Sequence, residues 1–273
     1  MRNRLKDAIH GERPAPKCAL ITGATGGIGE AFARALPEET HVILTGRDEN
    51  KLAILRAELG DRAETVVADL TKVGELDQVI GAAEAAGCDL VINNAGLGEY
   101  GDFLAADFEK HRTTLRVNIE AVLELTHKLV PGMIAQAERT DQRAGLINVA
   151  SSAAFIPVPT LATYAASKAM VLSFTESFAA ELADKPIDIL ASCPGAVKTE
   201  FGSRAGFKGG AMPGAMSPDK VASETLSALG RQTTVVIGPV SAGAFTGVAF
   251  ARSTFGQMFM RASQVMERMG NRD

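Results

Sequence analysis

The chain is 273 residues long, room for one large α/β domain, and its 46% hydrophobic and 22% charged composition supplies a core and excludes a disordered chain. With 28 basic and 32 acidic residues the formal net charge is -4, so no global positive field exists to hold nucleic acid or an anionic bilayer. Cys18, Cys88 and Cys193 are an odd count at wide spacing without a CxxC pair, which suggests neither a disulfide framework nor a zinc site.

In chain order, the polar stretch from Met1 to Lys17 lacks the apolar centre of a secretory signal, and residues 1–16 are expected to form an N-terminal extension. No apolar run reaches bilayer length, so a cytoplasmic location is expected. From Cys18 onward, short apolar runs alternate with segments of helical period, which predicts strands at Cys18 to Thr22, His41 to Thr45, Glu64 to Ala68, Leu90 to Asn93, Leu146 to Val149, Ile187 to Cys193 and Val235 to Ile237. Most are continuous in Val, Ile and Leu, as strands covered by helices on both faces are. The expectation is a single three-layer, doubly wound α/β domain of Rossmann type over 17–243, with a parallel seven-stranded sheet.

The stretch from Glu200 to Ser217 breaks this rhythm with glycines set among Phe201, Phe207, Met212 and Met216. A glycine-hinged lid over an apolar substrate is expected at 200–217, the competing reading being an ordinary flexible connection. Beyond it, Phe255, Met258, Phe259, Ala262, Val265, Met266 and Met269 define one apolar helical face. Residues 244–273 are therefore expected to supply an amphipathic helix packed on the domain or a partner subunit. A membrane-surface helix, with Arg252, Arg261 and Arg268 near lipid, is the alternative.

The segment CALITGATGGIGEAFARAL, Cys18 to Leu36, reads as strand, glycine-rich turn and helix. Such a turn brings backbone N–H groups and a helix N-terminus against a phosphate. Its glycines, Gly23, Gly27 and Gly29, do not fit the G-x-G-x-x-G fingerprint, since Phe32 stands at the last glycine position. Further on, Tyr164 and Lys168 stand four residues apart on a helical segment, hence on one face. A phenol titrates near ~10, and a nearby ammonium would favour its phenolate, which is what proton exchange with a substrate oxygen requires. Ser151 lies thirteen residues before Tyr164, just past a strand, where α/β proteins place ligands.

Thr22-Gly23-x-x-x-Gly27-x-Gly29, Asn93-Asn94-Ala95-Gly96, Ser151, Tyr164-x-x-x-Lys168 and Pro194-Gly195-x-Val197-x-Thr199, in this order, resemble the short-chain dehydrogenase/reductase family. The resemblance spans Lys17 to about Ile237. It implies carbonyl–alcohol interconversion by hydride transfer, with Tyr164 as proton donor or acceptor, Lys168 as its charge partner, Ser151 (chosen over Ser152 on the family interval) on the substrate oxygen, and Asn118 holding a water in a proton relay. It also implies cofactor contacts from Gly23, Thr25, Gly27, Ile28, Gly29, Asp69, Leu70, Asn94, Gly96, Tyr164, Lys168, Pro194, Gly195, Val197 and Thr199. Enzymes selecting NAD place a carboxylate at the end of the second strand; here Gly46 and Arg47 follow it, which argues for NADP(H), with NAD served by Asp48 as the competing view. The substrate is expected to be a small apolar or 3-oxoacyl-type carbonyl compound walled by Phe155, Phe201 and Met212, and assembly as a homodimer or homotetramer is implied. A catalytically silent NADP(H)-sensing protein of the same fold is the rival.

Overall fold

In five of the seven strands, adjacent large aliphatic residues point into different layers. Leu20, Ile43, Val91, Leu146 and Ile189 enter one core cluster, while their neighbours Ile21, Leu44, Ile92, Ile147 and Leu190 enter the other. A sheet that is apolar on both faces needs a helical layer on each, and the chain provides both. The computed structural model describes residues 14–207, 214–238, 243–248, 250–252 and 254.

Strands β1 (Cys18–Thr22), β2 (His41–Gly46), β3 (Ala63–Val67), β4 (Leu90–Asn93), β5 (Ala144–Val149), β6 (Ile187–Pro194) and β7 (Thr234–Ile237) form one parallel sheet in the order β3-β2-β1-β4-β5-β6-β7. The third strand starts and ends one residue earlier than predicted because Ala63 pairs with Val42 of β2. The helices are α1 (Gly27–Ala35), α2 (Glu49–Leu59), α3 (Val73–Ala85), α4 (Phe108–Leu115), α5 (Ala121–Thr140), α6 (Ala162–Glu181), the short α7 (Phe201–Arg204) and α8 (Pro218–Ala228). Leu76, Val79 and Ile80 of α3 and Leu125, Leu129 and Met133 of α5 cover one face of the sheet; Phe32 of α1, Leu52 of α2 and Ala222 of α8 cover the other. This is a doubly wound, Rossmann-type three-layer domain.

Two topological facts position the site. Strand order reverses between β1 and β4, so the loops after those strands diverge and leave a crevice at their C-terminal ends. Helices α4 and α5 are joined through a π turn at Arg116–Glu120, a departure from regular hydrogen bonding in mid-helix that carries Asn118 inward.

No helix among the described residues is long and apolar enough to cross a membrane. The expected apolar face from Phe255 to Met269 lies outside the described residues, as do residues 1–13. Residues 243–248, 250–252 and 254 are helical. That helix docks through Phe245, stacked on Phe155 at 5.2 Å and 7°, and through Arg252, whose Nε donates to the buried Glu176 carboxylate at 2.9 Å.

Candidate active site

The glycine turn leaves β1 with Gly23 at φ 65°, where side chains are strained. A Cβ on Gly29 would fall 2.3 Å from the Gly23 carbonyl oxygen, so this glycine lets α1 start directly beneath the turn. Gly26 caps α1 without a side-chain hydrogen bond, leaving first-turn N–H groups with no intrahelical partner. Thr199 sits across the turn: its Cγ2 would meet a Cβ on Gly27 at 2.9 Å. Gly27 and the end of the Pro194-to-Thr199 segment are thus neighbours.

Asn94, expected at the cofactor, ties two loops together. Its Nδ2 donates to the carbonyls of Thr22 (2.9 Å) and Gly23 (3.2 Å). Thr22, which sequence reasoning left without a role, accepts from the N–H groups of Asn94 and Ala95 on its Oγ1, both at 3.0 Å. Asp69 is likewise engaged locally, accepting from Thr71 N–H and Thr71 Oγ1 on Oδ1. Burial alone would raise this carboxyl, but the Thr71 hydrogen bonds and the charges of Arg47 and Lys72 hold it below the ordinary carboxylate value. Leu70, beside it, packs on the core.

At the end of β2, a Cβ on Gly46 would approach Thr25 Oγ1 to 2.9 Å, so the space an acidic side chain needs there is filled by Thr25. Asp48 caps α2, accepting the N–H of Lys51 at 3.0 Å. Arg47 is exposed.

The proton-transfer candidates converge at the C-terminal ends of β4 and β5. Lys168 is buried at 4% exposure, and its Nζ donates to the Val149 carbonyl at 2.7 Å while lying 5.9 Å from the Tyr164 ring centroid. The two therefore share a face of α6, as their spacing predicts. Ser151, at 8% exposure, accepts the Ala153 N–H on its Oγ and is hydrogen-bonded to the Tyr164 phenol. A Cβ on Gly96 would sit 3.4 Å from Lys168 Nζ and 3.6 Å from Asn118 Oδ1, so that glycine keeps open the space between the β4 loop and the lysine.

The electrostatics depart from expectation. Burial pushes the Tyr164 phenol above its ordinary value, an effect the Ser151 hydrogen bond opposes, and burial brings the Lys168 ammonium down to about 8. Sequence spacing reports that an ammonium stands near a phenol; it does not report that both are withdrawn from water, which favours the neutral form of each.

Asn118 is fully buried and uses its side chain as a clamp. Oδ1 accepts the Leu97 N–H (2.8 Å), and Nδ2 donates to the Leu97 carbonyl (2.9 Å) and to Ser167 Oγ (2.9 Å). Both amide protons are committed to protein, so a bound water would use the remaining lone pair on Oδ1 or the backbone of the π turn. A further buried chain runs from Asn93 to Asn148 Oδ1 (2.9 Å) and from Asn148 to Thr175 Oγ1 (2.9 Å). Asn148 is a polar interruption of the apolar run Leu146–Val149, a signal the sequence contained.

Phe201 stands beside Tyr164. Its ring lies 5.1 Å from that of Tyr164, and a Cβ on Gly98 would strike Phe201 Cζ at 3.0 Å and Tyr164 Cδ2 at 3.4 Å. Phe207 meets Tyr100 edge-on at 5.2 Å, and the Tyr100 N–H donates to the Ala205 carbonyl at 2.7 Å. The stems of this loop are joined by a bridge between Val197 and Met216, and Gly195 N–H donates to the Ile237 carbonyl at 2.9 Å just past Pro194. Residues 208–213, Met212 included, lie outside the described residues.

A glycine turn at the strand-order reversal, with a Ser, Tyr and Lys converging beside it, defines a dinucleotide-dependent oxidoreductase. The short chain dehydrogenase family model matches residues 17–206. Nodulation protein G of Rhizobium sp. (strain N33) is 36% identical over 184 residues, 66% of this chain and 73% of that protein. Among solved structures, the 3-ketoacyl-(acyl-carrier-protein) reductase from Brucella melitensis complexed with NADH superposes with a TM-score of 0.71 at 29% identity, covering 81% of this chain and 96% of that one. A short-chain dehydrogenase from Sphingobium yanoikuyae in complex with NADPH gives a TM-score of 0.76 at 27% identity, covering 87% and 94%. The chain belongs to the short-chain dehydrogenase family, whose members transfer hydride with a nicotinamide cofactor.

Proposed function

We propose that this chain is an NADP(H)-dependent ketoreductase acting on an apolar or 3-oxoacyl-type carbonyl. The observation that carries the reading is the convergence of Ser151, Tyr164 and Lys168 beside the Gly96 gap, at the sheet edge that also holds the glycine turn. When bound, NADPH supplies the hydride to the carbonyl carbon. The Ser151 hydroxyl holds the carbonyl oxygen, and Tyr164 gives that oxygen its proton as negative charge develops there. Lys168, its pKa brought down to about 8, carries a positive charge at neutrality and stabilises the phenolate that Tyr164 leaves behind. Asn118 acts on position, fixing Leu97 and so the course of the β4 loop across the site.

Preference for NADP(H) is supported by three features of the β2 end: Thr25 fills the space beside Gly46, the Asp48 carboxylate is taken by the α2 cap, and the Arg47 guanidinium is left exposed for a 2'-phosphate. An apolar substrate is supported by the Phe201 ring beside Tyr164 and by Phe155, at the end of the short helix that follows Ser151, with Phe245 of the helical stretch from residue 243 stacked on it. Self-association is supported by Phe103, Leu104 and Phe108, exposed apolar residues in the loop before α4 and at its first position.

The test is NADPH oxidation with a panel of ketones, followed at the reduced nicotinamide's absorbance, in wild type and Tyr164→Phe. The variant is expected to lose turnover by about 10²- to 10⁴-fold while binding NADPH as before. Equal turnover would remove Tyr164 from the chemistry. NADPH binding by the wild type with no turnover across the panel would instead favour a sensing protein.

A further inference from the structure

Cys18 opens β1, and Cys88 stands two residues ahead of β4, the strand paired with β1. They are 70 residues apart in the chain, yet their Sγ atoms lie 2.8 Å apart, inside the sum of two sulfur radii, with the side chains 3% and 5% exposed. The backbone on each side is fixed. The Asp89 carboxylate accepts the N–H groups of Lys17 (3.0 Å) and Cys18 (3.1 Å), Asp89 N–H donates to the Cys18 carbonyl, and Cys88 N–H donates to the carbonyl of Ala83 in the last turn of α3. A disulfide requires about 2.05 Å, so closure asks for less than about 1 Å of movement by side chains whose strands are already in register.

We propose that Cys18 and Cys88 form an oxidisable dithiol that closes to a disulfide, stapling β1 to β4 at the end of the sheet opposite the catalytic residues. The oxidant class is a small hydroperoxide. One thiol is oxidised to a sulfenic acid as the peroxide O–O bond breaks, releasing water from hydrogen peroxide or the alcohol from an alkyl hydroperoxide. The second sulfur then attacks the first, the S–O bond breaks, and the hydroxyl leaves as water with the second thiol's proton. Two electrons pass from two thiols to one peroxide, and the S–S bond is the only bond gained by the protein. The two steps differ in what limits them. The Cys88 thiol is pushed up by its hydrogen bond with Cys18 and by burial, so little thiolate is available and the first step is slow in the native state. The second step is fast, because the partner sulfur is already in contact.

The third cysteine is a built-in control. Cys193 lies near the C-terminal end of β6, fully buried, with its thiol pushed up to about 12 chiefly by burial. It has the same withdrawal from solvent and no sulfur partner among the described residues.

The full chain is incubated with hydrogen peroxide, denatured, alkylated and weighed intact, then mapped by proteolysis without reductant. The expected result is uptake of one alkyl group where the untreated chain takes up three, with the mass two hydrogens below that of a singly alkylated chain, one linked peptide pair holding Cys18 and Cys88, and Cys193 recovered as its alkylated thiol. Cys18→Ala and Cys88→Ala should each lack the linked pair. A loop of this length should raise the melting temperature of the oxidised wild type by roughly 5–10 °C, with the rise reversed by reductant. Oxygen adducts on either cysteine in place of the link, a link to Cys193, or three alkylatable thiols after exposure at the foot of the urea transition would each overturn the proposal. All of these are read on the wild type, so the outcome does not depend on whether the alanine variants fold, nor on the chain's activity.

Discussion

Lys168→Met should make the protein more stable while removing its turnover, and the stability gap should depend on pH in a calculable way. The ammonium is 4% exposed, and burial lowers its pKa from 10.5 to about 8. A displacement of about 2.5 units corresponds to a cost on the order of 3 kcal/mol for holding the charged form in the folded chain. Below pH 8 both folded and unfolded chains carry the charge, and the folded state bears this cost in full. Between about pH 8 and pH 10.5 the folded chain releases the proton while the unfolded chain retains it, so wild-type stability rises through that window. Methionine has similar length and no charge, and it forfeits only the hydrogen bond to the Val149 carbonyl, on the order of 1–2 kcal/mol. The variant should therefore be more stable by about 1–2 kcal/mol at pH 7, and its advantage should shrink by about 2 kcal/mol by about pH 9.5. Urea unfolding followed by circular dichroism at the two pH values measures both quantities. A variant less stable than wild type at pH 7, or a gap that does not move with pH, would refute the claim that this lysine is a buried cation held at a cost.

At the β2 end, Arg47→Asp should raise the KM for NADPH by about tenfold or more and lower that for NADH, since a charge pair to a phosphate is replaced by repulsion; a retained NADPH preference in steady-state kinetics would sink the assignment of Arg47. Gly98→Ala introduces a methyl 3.0 Å from Phe201 Cζ and 3.4 Å from Tyr164 Cδ2, so it should depress kcat/KM by about tenfold. Adding Phe201→Leu should restore most of that loss, and a double variant as impaired as the single one would show that the ring contact is not the cause.

The sequence by itself determined what depends on short range. Continuous aliphatic runs wrote the parallel sheet, with β3 displaced by a single residue. The four-residue interval put Tyr164 and Lys168 on one face of α6, and glycines stood where Gly23 needs a positive φ and Gly29 needs the absence of a Cβ. The stretch from Glu200 to Ser217 was legible as an interruption and a candidate lid, since composition marks it as irregular and apolar without saying that Phe201 lies against Tyr164.

Tertiary structure alone decided the rest, because it depends on the register between distant strands and on the loss of water. The family resemblance gives Asn118 as the holder of a relay water and Asn94 as a cofactor contact; folding ties their side-chain amides to Leu97, Ser167, Thr22 and Gly23. Cys18 and Cys88 read as unrelated thiols, and the pairing of Ala19 with Leu90 brings them into contact. The direction of the Lys168 shift has the same origin: an interval along a helix gives the distance between two groups, whereas the dielectric around them is made by the layers that close over the sheet.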